Sequence, residues 1–318
     1  MSRAGKIALA VVALAVLFLL VVAFAFWRYP VEMGMRAESR AIERAGFSAL
    51  ESALPDGSGE RVGYQSGSGP PLVLLHGWSF DLRMFGPQMP ALSRAHRVIR
   101  MDRRGFGRSS DAEDQSWNAS DLGALLDHLG VSRAHILGMS QGGRVALDFA
   151  AAHGHRVDRL ILHGSMPPSG WGLRWSGADR FTVDEYREMA RGMGLEGFRR
   201  AWRAHPLMRI PQGAHESDAR RLVETMLSGY RGGLLLQPVE PSGPPARATF
   251  ANLGGIQAPA LVLTGDQEVP YLQIAADALA YALPNAHRLV LPGGGHLINL
   301  SEPERYSDAV LGFLGHGA

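Results

Sequence analysis

Gly138-Met139-Ser140-Gln141-Gly142 follows an apolar run at 134–137 and precedes an alanine-rich helical pattern at 144–152. Because glycine has no Cβ, glycines two positions before and two after a serine let the chain turn sharply from a strand into a helix. The turn places the serine at a helix N-terminus, where free N–H groups and the helix dipole favour negative charge. The pattern therefore predicts a nucleophile elbow, with Ser140 as the nucleophile.

Short apolar runs separated by helical patterns occur on both sides of this turn. They lie at 72–75, 98–99, 136–137, 160–162, 261–263 and 289–291. Such runs are typical of parallel strands that are covered on both faces. Ahead of them, residues 49–54 and 61–65 flank a Pro-Asp-Gly turn and predict a strand pair. We therefore predict an α/β fold with a mostly parallel sheet, built from residues 49–166 and 251–318.

Residues 167–250 interrupt this alternation with several predicted helices, and prolines lie at both ends of the segment. A helical insertion between two strands of an α/β sheet predicts a lid over the site. The alternative is a set of packing helices without a gating role. Apolar side chains suited to a small acyl substrate are Met139 of the elbow and, in the insertion, Trp171, Trp175, Phe181, Trp202 and Met208.

Residues 7–27 contain no charge and no proline. As a helix rising ~1.5 Å per residue, they would cross the ~30 Å hydrocarbon core of a bilayer. We predict a single-pass membrane anchor at 1–28, in contact with the lipid bilayer, followed by a charged spacer at 29–48. Basic residues flank the run on both sides and leave its orientation open, with the exported side favoured slightly for the catalytic domain. The alternative is a cleaved signal peptide with Ala23-Phe24-Ala25 at the cleavage site, but the apolar run exceeds the ~7–15 residues usual there.

The composition excludes several kinds of chemistry. The chain of 318 residues has no cysteine, and its only lysine, Lys6, precedes the apolar run, so thiol nucleophiles and lysine Schiff bases are excluded. Its 32 basic and 30 acidic residues are interspersed, and no nucleic-acid partner is expected. We expect no metal site at His153 and His155, because these helix-end histidines have no nearby acids or thiols, and serine-based acyl transfer requires no metal or organic cofactor.

A serine nucleophile needs a base and an acid that orients the base. His296 ends a glycine-rich loop directly after the run at 289–291, and Asp266 and Glu268 follow the run at 261–263. Because the carboxyl ends of parallel strands meet at one edge of a sheet, we expect these side chains near Ser140. Spacing alone does not decide whether Asp266 or Glu268 is the acid that orients His296.

Two backbone N–H groups are expected to bind the oxyanion. Gln141, the residue after the nucleophile, supplies one of them. Trp78 supplies the other from the turn His76-Gly77-Trp78, which follows the run at 72–75. We expect the His76 imidazole to shape this turn rather than to act in catalysis.

Five ordered motifs together resemble the α/β-hydrolase fold family, and most closely its small-molecule esterases, lactonases and carbon–carbon hydrolases. They are His76-Gly77-Trp78, the stretch from Asp102-Arg103-Arg104-Gly105 to Ser109, the elbow, Gly265-Asp266-Gln267-Glu268 and Gly295-His296. The resemblance implies that the acid is Glu268, three residues after the strand-end glycine. Aspartate is commoner at that place, so Asp266 remains a competitor.

The resemblance implies a serine hydrolase that cleaves a small, largely apolar ester or lactone without a cofactor. The serine in the elbow argues against the dehalogenases and epoxide hydrolases, in which this position is aspartate. Alternatives are a perhydrolase, a carbon–carbon hydrolase or a lyase with the same triad, and a non-catalytic binding protein on this scaffold.

Overall fold

The computed structural model describes residues 48–53, 60–110, 118–171, 183–236 and 247–315. Their strands form an eight-stranded sheet in the order β1-β2-β4-β3-β5-β6-β7-β8. The strands are β1 Ser48–Ala53, β2 Glu60–Ser66, β3 Pro71–Leu75, β4 Arg97–Met101, β5 Ala134–Met139, β6 Val157–His163, β7 Ala260–Gly265 and β8 Ala286–Leu291. Strand β2 pairs antiparallel with β1 and β4, and the other neighbours pair in parallel. The predicted α/β fold with a mostly parallel sheet is confirmed.

Helices follow most of the parallel strands. They are α1 Met89–Leu92, α2 Asn118–His128, α3 Gln141–Ala152, α4 Val183–Ala204, α5 Glu216–Gly229, α6 Gly233–Leu236, α7 Pro270–Ala282, α8 Ile298–Ser301 and α9 Pro303–Gly315. Short 3₁₀ turns lie at Leu82–Gln88, Gly154–Arg156, Pro206–Met208 and Phe250–Gly255. Helix α4 is interrupted at Gly194, whose φ of 69° is not helical.

The central strands are buried on both faces, as their uninterrupted apolar runs predict. Every residue of β7 is buried, and so are the last four residues of β3. Side chains of α2 and α3, including Leu122 and Phe149, join Val73 and Ile136 in one apolar cluster. Burial of each such side chain contributes about 1.5–3 kcal/mol. The cluster fixes the positions of the strand ends, from which the candidate site is built.

Helices α4, α5 and α6 lie between β6 and β7 in the chain, where the sequence predicts the insertion at 167–250. Trp202, at the end of α4, donates its indole N–H to the Ser79 hydroxyl at 2.8 Å. Its ring meets that of Trp78 edge to face, with the centroids 5.0 Å apart. The insertion therefore touches the loop after β3. Its gating role stays a prediction.

The predicted membrane anchor, residues 7–27, lies outside the described residues. The predicted spacer lies outside them too, apart from Ser48, which begins β1. In the portions of the chain that the structure covers, no helix is both long and apolar enough to span a bilayer. The anchor stays a prediction.

Candidate active site

Ser140 lies at the turn between β5 and α3 with φ 55° and ψ −117°. A residue with a side chain rarely adopts positive φ, and such strain persists only where the surroundings hold it. Here the end of β6 holds it, because the Ser140 N–H donates to the His163 carbonyl at 2.8 Å and the Met166 N–H donates to the Ser140 carbonyl at 3.2 Å. The predicted elbow is therefore present as a strained strand-to-helix turn.

The elbow glycines are required by close backbone contacts. A Cβ at Gly142 would lie 2.2 Å from the Leu75 carbonyl oxygen, and a Cβ at Gly138 would lie 2.4 Å from the Gly142 carbonyl oxygen. Since no larger residue fits at either position, the first turn of α3 packs directly against the end of β3. This contact brings the loop after β3 beside Ser140.

His296 and Glu268 form a buried hydrogen bond at the same edge of the sheet. The imidazole Nδ1 lies 2.8 Å from Oε2 of Glu268, and both side chains are almost fully buried. The other carboxylate oxygen accepts the Val269 N–H at 3.0 Å. We assign the imidazole proton to Nδ1, facing the carboxylate, because this leaves Nε2 free to accept a proton.

Gly164, directly after β6, makes room for this pair. Its φ is 49°, and a Cβ there would lie 2.8 Å from Nδ1 of His296 and 2.9 Å from Oε2 of Glu268. Neighbouring His163 packs with its ring centroid 6.3 Å from that of His296. Burial lowers the pKa of His163 to about 3. His163 therefore stays neutral at neutral pH and adds no charge beside His296.

Asp266 has a different position from Glu268. Its carboxylate is exposed and accepts the N–H groups of Gly293 and Gly294, at 3.0 and 3.3 Å. It therefore shapes the glycine loop that leads to His296. The structure brings Glu268 into contact with the imidazole and places Asp266 on the backbone of this loop.

The loop after β3 is held by His76 and Arg103. The Arg103 N–H donates to Nε2 of His76 at 2.9 Å, so the His76 proton lies on Nδ1, which donates to the Gly77 carbonyl at 2.8 Å. Complete burial lowers the pKa of His76 well below its ordinary value. His76 is therefore a neutral, structural group, and it shapes the turn that carries Trp78.

Ser140 and His296 line one cavity of about 210 Å³. Its apolar lining comes from the elbow, the loops after β3 and β6, and the insertion, through Trp78, Phe80, Met139, Met166, Trp202, Leu207 and Met208. The charged side chain in the lining is Arg144, which donates to the Pro167 carbonyl at 3.0 Å. Ligand pockets span ~300–1,000 Å³, so the volume favours a small ligand.

The apolar residues predicted to contact the substrate do not all line this cavity. Met139, Trp202 and Met208 line the cavity. Trp171 does not; its ring packs edge to face on Phe250, with the centroids 5.3 Å apart. The reason is the bridge between Ser169 and Thr249, which brings the two ends of the insertion together. Trp175 and Phe181 lie outside the described residues.

Several residues of the site have no clear signal in the sequence. Gly164 lies in no motif, Arg103 is marked only as a member of the motif at 102–109, and Arg144 is marked only by its place one turn after Ser140. The two ends of the insertion contact each other, and the insertion contacts the loop after β3. Both contacts join segments that are distant in the chain, so they form only on folding. Within the described ranges, no group of three or more histidine, cysteine, aspartate or glutamate side chains is arranged so that it could hold a metal ion.

Comparisons with known proteins agree with this architecture. A family model described as alpha/beta hydrolase fold matches residues 70–303. The chain is 31% identical, over 77% of its length and 64% of the relative's, to the dihydrolipoyllysine-residue acetyltransferase component of the acetoin cleaving system of Pseudomonas putida. It therefore spans just under two thirds of that protein.

Two further relatives are matched over nearly their whole length. One is the 2-hydroxy-6-oxononadienedioate/2-hydroxy-6-oxononatrienedioate hydrolase of Comamonas testosteroni, 28% identical over 87% of this chain and 95% of that protein. The other is the crystal structure of an esterase from Rhodococcus, with a TM-score of 0.67 and 26% identity, covering 85% of this chain and 99% of that one.

Proposed function

Because this chain belongs to the α/β-hydrolase fold family, we propose that it is a serine hydrolase that cleaves a small, largely apolar carboxylic ester or lactone. The observation that carries the proposal is the buried hydrogen bond of 2.8 Å between His296 and Glu268. It lies at the cavity that Ser140 also lines, and it gives the imidazole the orientation that a general base needs.

In the proposed mechanism, the Ser140 hydroxyl oxygen attacks the ester carbonyl carbon while Nε2 of His296 takes the hydroxyl proton. Glu268 stabilises the imidazolium that forms, and the N–H groups of Trp78 and Gln141 bind the oxyanion. The C–O bond then breaks, and His296 gives its proton to the departing alcohol. Water, deprotonated by His296, attacks the acyl-serine in the same way and releases the acid together with Ser140.

The size and lining of the cavity support the proposed substrate class. About 210 Å³ enclosed mainly by methionine and aromatic side chains suits a short apolar acyl group. The acyl group would lie against Met139 of the elbow and against Trp202 and Met208 of the insertion. The esterase relative from Rhodococcus supports ester chemistry for this chain.

The proposal is tested with Ser140→Ala. A fluorophosphonate probe is expected to label the wild type and not the variant, and ester turnover is expected to fall by at least about 10⁴-fold. Ser301→Ala is the matched control, because Ser301 is a buried serine of α8 and not a part of the proposed site. Turnover in Ser140→Ala close to that of the control would end the proposal.

Hydrolysis of a carbon–carbon bond is the second candidate. It is favoured by the Comamonas testosteroni relative, whose named substrates carry an oxo group rather than an ester. A perhydrolase or lyase would use the same triad, and product analysis with esters and with 6-oxo acids separates these reactions. A binding protein on this scaffold would leave the wild type unlabelled by the fluorophosphonate.

We also propose that residues 7–27 anchor the enzyme in a bilayer, with the catalytic domain on the exported side. The proposal rests on the uninterrupted apolar run. The full-length chain is expected in the carbonate-resistant membrane fraction, with its catalytic domain accessible to protease from the exported side. Recovery of the intact chain in the soluble fraction would contradict the anchor.

A further inference from the structure

Two adjacent arginines follow β4, and both are almost completely buried. Arg104 is paired, because its Nε and Nη2 donate to the two carboxylate oxygens of Asp121 at 2.9 and 2.8 Å. Arg103 contacts no carboxylate of the described residues. Its guanidinium lies 4.7 Å from the ring centroid of Phe106 and donates to neutral oxygens. Burying a cation without a carboxylate is costly, which indicates that this charge has a role besides stability.

One of the two neutral oxygens belongs to Gln141, and the other belongs to Gly77, the residue before Trp78. Nη2 of Arg103 donates to the side-chain oxygen of Gln141 at 2.6 Å and to the Gly77 carbonyl at 3.4 Å. The Gly77 carbonyl shares a planar trans peptide with the Trp78 N–H, and the two groups point in opposite directions. A donor that holds the carbonyl therefore also fixes the direction of the N–H.

The backbone of Arg103 acts on the same peptide through His76. Its N–H sets the His76 tautomer, and His76 in turn donates to the Gly77 carbonyl. The Gly77 carbonyl thus accepts two hydrogen bonds. One comes from the Arg103 guanidinium, and the other comes from the His76 imidazole, which the Arg103 backbone orients. Burial lowers the pKa of Arg103 to about 9, so its guanidinium remains charged at neutral pH.

We propose that Arg103 is the positioning residue of the oxyanion hole: it joins the loop after β3 to the side chain of Gln141 in the elbow and places a positive charge behind the Trp78 N–H. A cation that binds the far side of a peptide polarises its N–H, and oxyanion stabilisation depends on donors held in place beforehand. This inference rests on the proposed function. It predicts that loss of the guanidinium lowers the rate of acyl transfer more than it lowers substrate affinity.

Arg103→Met in the full-length chain tests the inference. Loss of a whole oxyanion donor costs about 10²–10³-fold in kcat, and because here the donors are misaligned rather than lost, we expect about a 10- to 100-fold decrease. KM for a p-nitrophenyl ester is expected to change by less than about threefold. Arg103→Lys keeps the charge without the planar fork and is expected to recover part of kcat.

Two further variants separate positioning from a merely structural role. Gln141→Ala removes the side-chain acceptor and keeps the backbone N–H, so Arg103→Met is expected to lose less kcat in that background than in the wild type. Arg104→Met is the matched control for a buried arginine, because Arg104 pairs with Asp121 in α2. It is expected to lower Tm while kcat per fluorophosphonate-titrated site stays near that of the wild type.

The fluorophosphonate labelling rate is measured in parallel, because it requires an activated serine and an oxyanion hole but not the natural substrate. Wild type and Arg103→Met labelled at equal rates would overturn the inference and leave the proposed function standing. A decrease in kcat per titrated site no larger than that of Arg104→Met would also overturn it. If Arg103→Met does not fold, the inference is tested with Arg103→Lys. The inference then requires that kcat and the labelling rate per titrated site fall below those of the wild type. A wild type that is not labelled at all would overturn the proposed function together with this inference.

Discussion

Substitution of Gly164 by alanine is expected to separate His296 from Glu268. The added methyl carbon would lie 2.8 Å from Nδ1 and 2.9 Å from Oε2, whereas ordinary contact begins at 3.4 Å. The side chains must therefore retreat by about 0.6 Å, the difference between 3.4 and 2.8 Å. A retreat that lengthens the 2.8 Å hydrogen bond by this amount takes it outside the usual range of about 2.7–3.2 Å and weakens it.

The loss of activity follows from that displacement. Misplacing a reacting group by about 1 Å costs about 10²-fold, so for a displacement of about 0.6 Å we expect kcat/KM for a p-nitrophenyl ester to fall by about 10- to 30-fold. Alanine at a φ of 49° also strains the backbone, at a cost of about 1–2 kcal/mol in the free energy of unfolding. Part of any decrease in Tm is therefore caused by this backbone strain and not by the contact with His296 and Glu268.

Gly130→Ala is the matched control for this strain. Gly130 has a φ of 65° and lies at the end of α2, and a Cβ there would meet no heavy atom within 4 Å. Gly130→Ala is expected to lose Tm through backbone strain alone, whereas Gly164→Ala is expected to lose at least as much Tm and, unlike Gly130→Ala, to lose kcat/KM per titrated site. If the kcat/KM of Gly164→Ala is within about threefold of that of Gly130→Ala, the reasoning from the contact is refuted.

Two further predictions concern carboxyl groups. Glu268→Gln is expected to lower kcat by about 10³–10⁴-fold, because the imidazole loses its orienting charge, whereas Asp266→Asn is expected to lower it by less than about tenfold. Steady-state kinetics of both variants decides between them, and the reverse order would make Asp266 the acid. Burial, with the nearby charge of Asp81, raises the pKa of Asp102 from 3.8 to about 7. Between about pH 4 and pH 7, Asp102 is therefore protonated in the folded chain and ionised in the unfolded chain. Its contribution to the free energy of unfolding falls as pH rises through this window. Asp102→Asn is expected to flatten the dependence of Tm on pH in that window, and a slope equal to that of the wild type would contradict the assignment.

Much of the fold was predictable because its signals are local. An apolar run that is continuous over a few residues indicates a strand buried on both faces, and the elbow requires glycines at fixed spacing around Ser140. The strand pair before the first parallel strand was also predicted, from its turn residues. Each of these features is set by residues within a few positions of one another.

The choice between the two acids is of a different kind. Asp266 and Glu268 are two residues apart and follow the same strand. Only the fold shows that Glu268 is buried against the imidazole while Asp266 is exposed and holds the N–H groups of the glycine loop. The family resemblance favours Glu268, but the spacing after the strand does not distinguish them.

Local sequence patterns are sufficient to predict the order of strands and helices, the elbow, and the edge of the sheet at which Ser140 and His296 lie. Three features become visible only in the folded chain: Gly164 must lack a side chain, Arg103 lies behind the turn carrying Trp78, and Trp202 rather than Trp171 lines the cavity. The physical reason is the range of the interactions. Backbone propensity and burial patterns depend on neighbouring residues, whereas these contacts join segments that are distant in the chain and meet only after the sheet has formed.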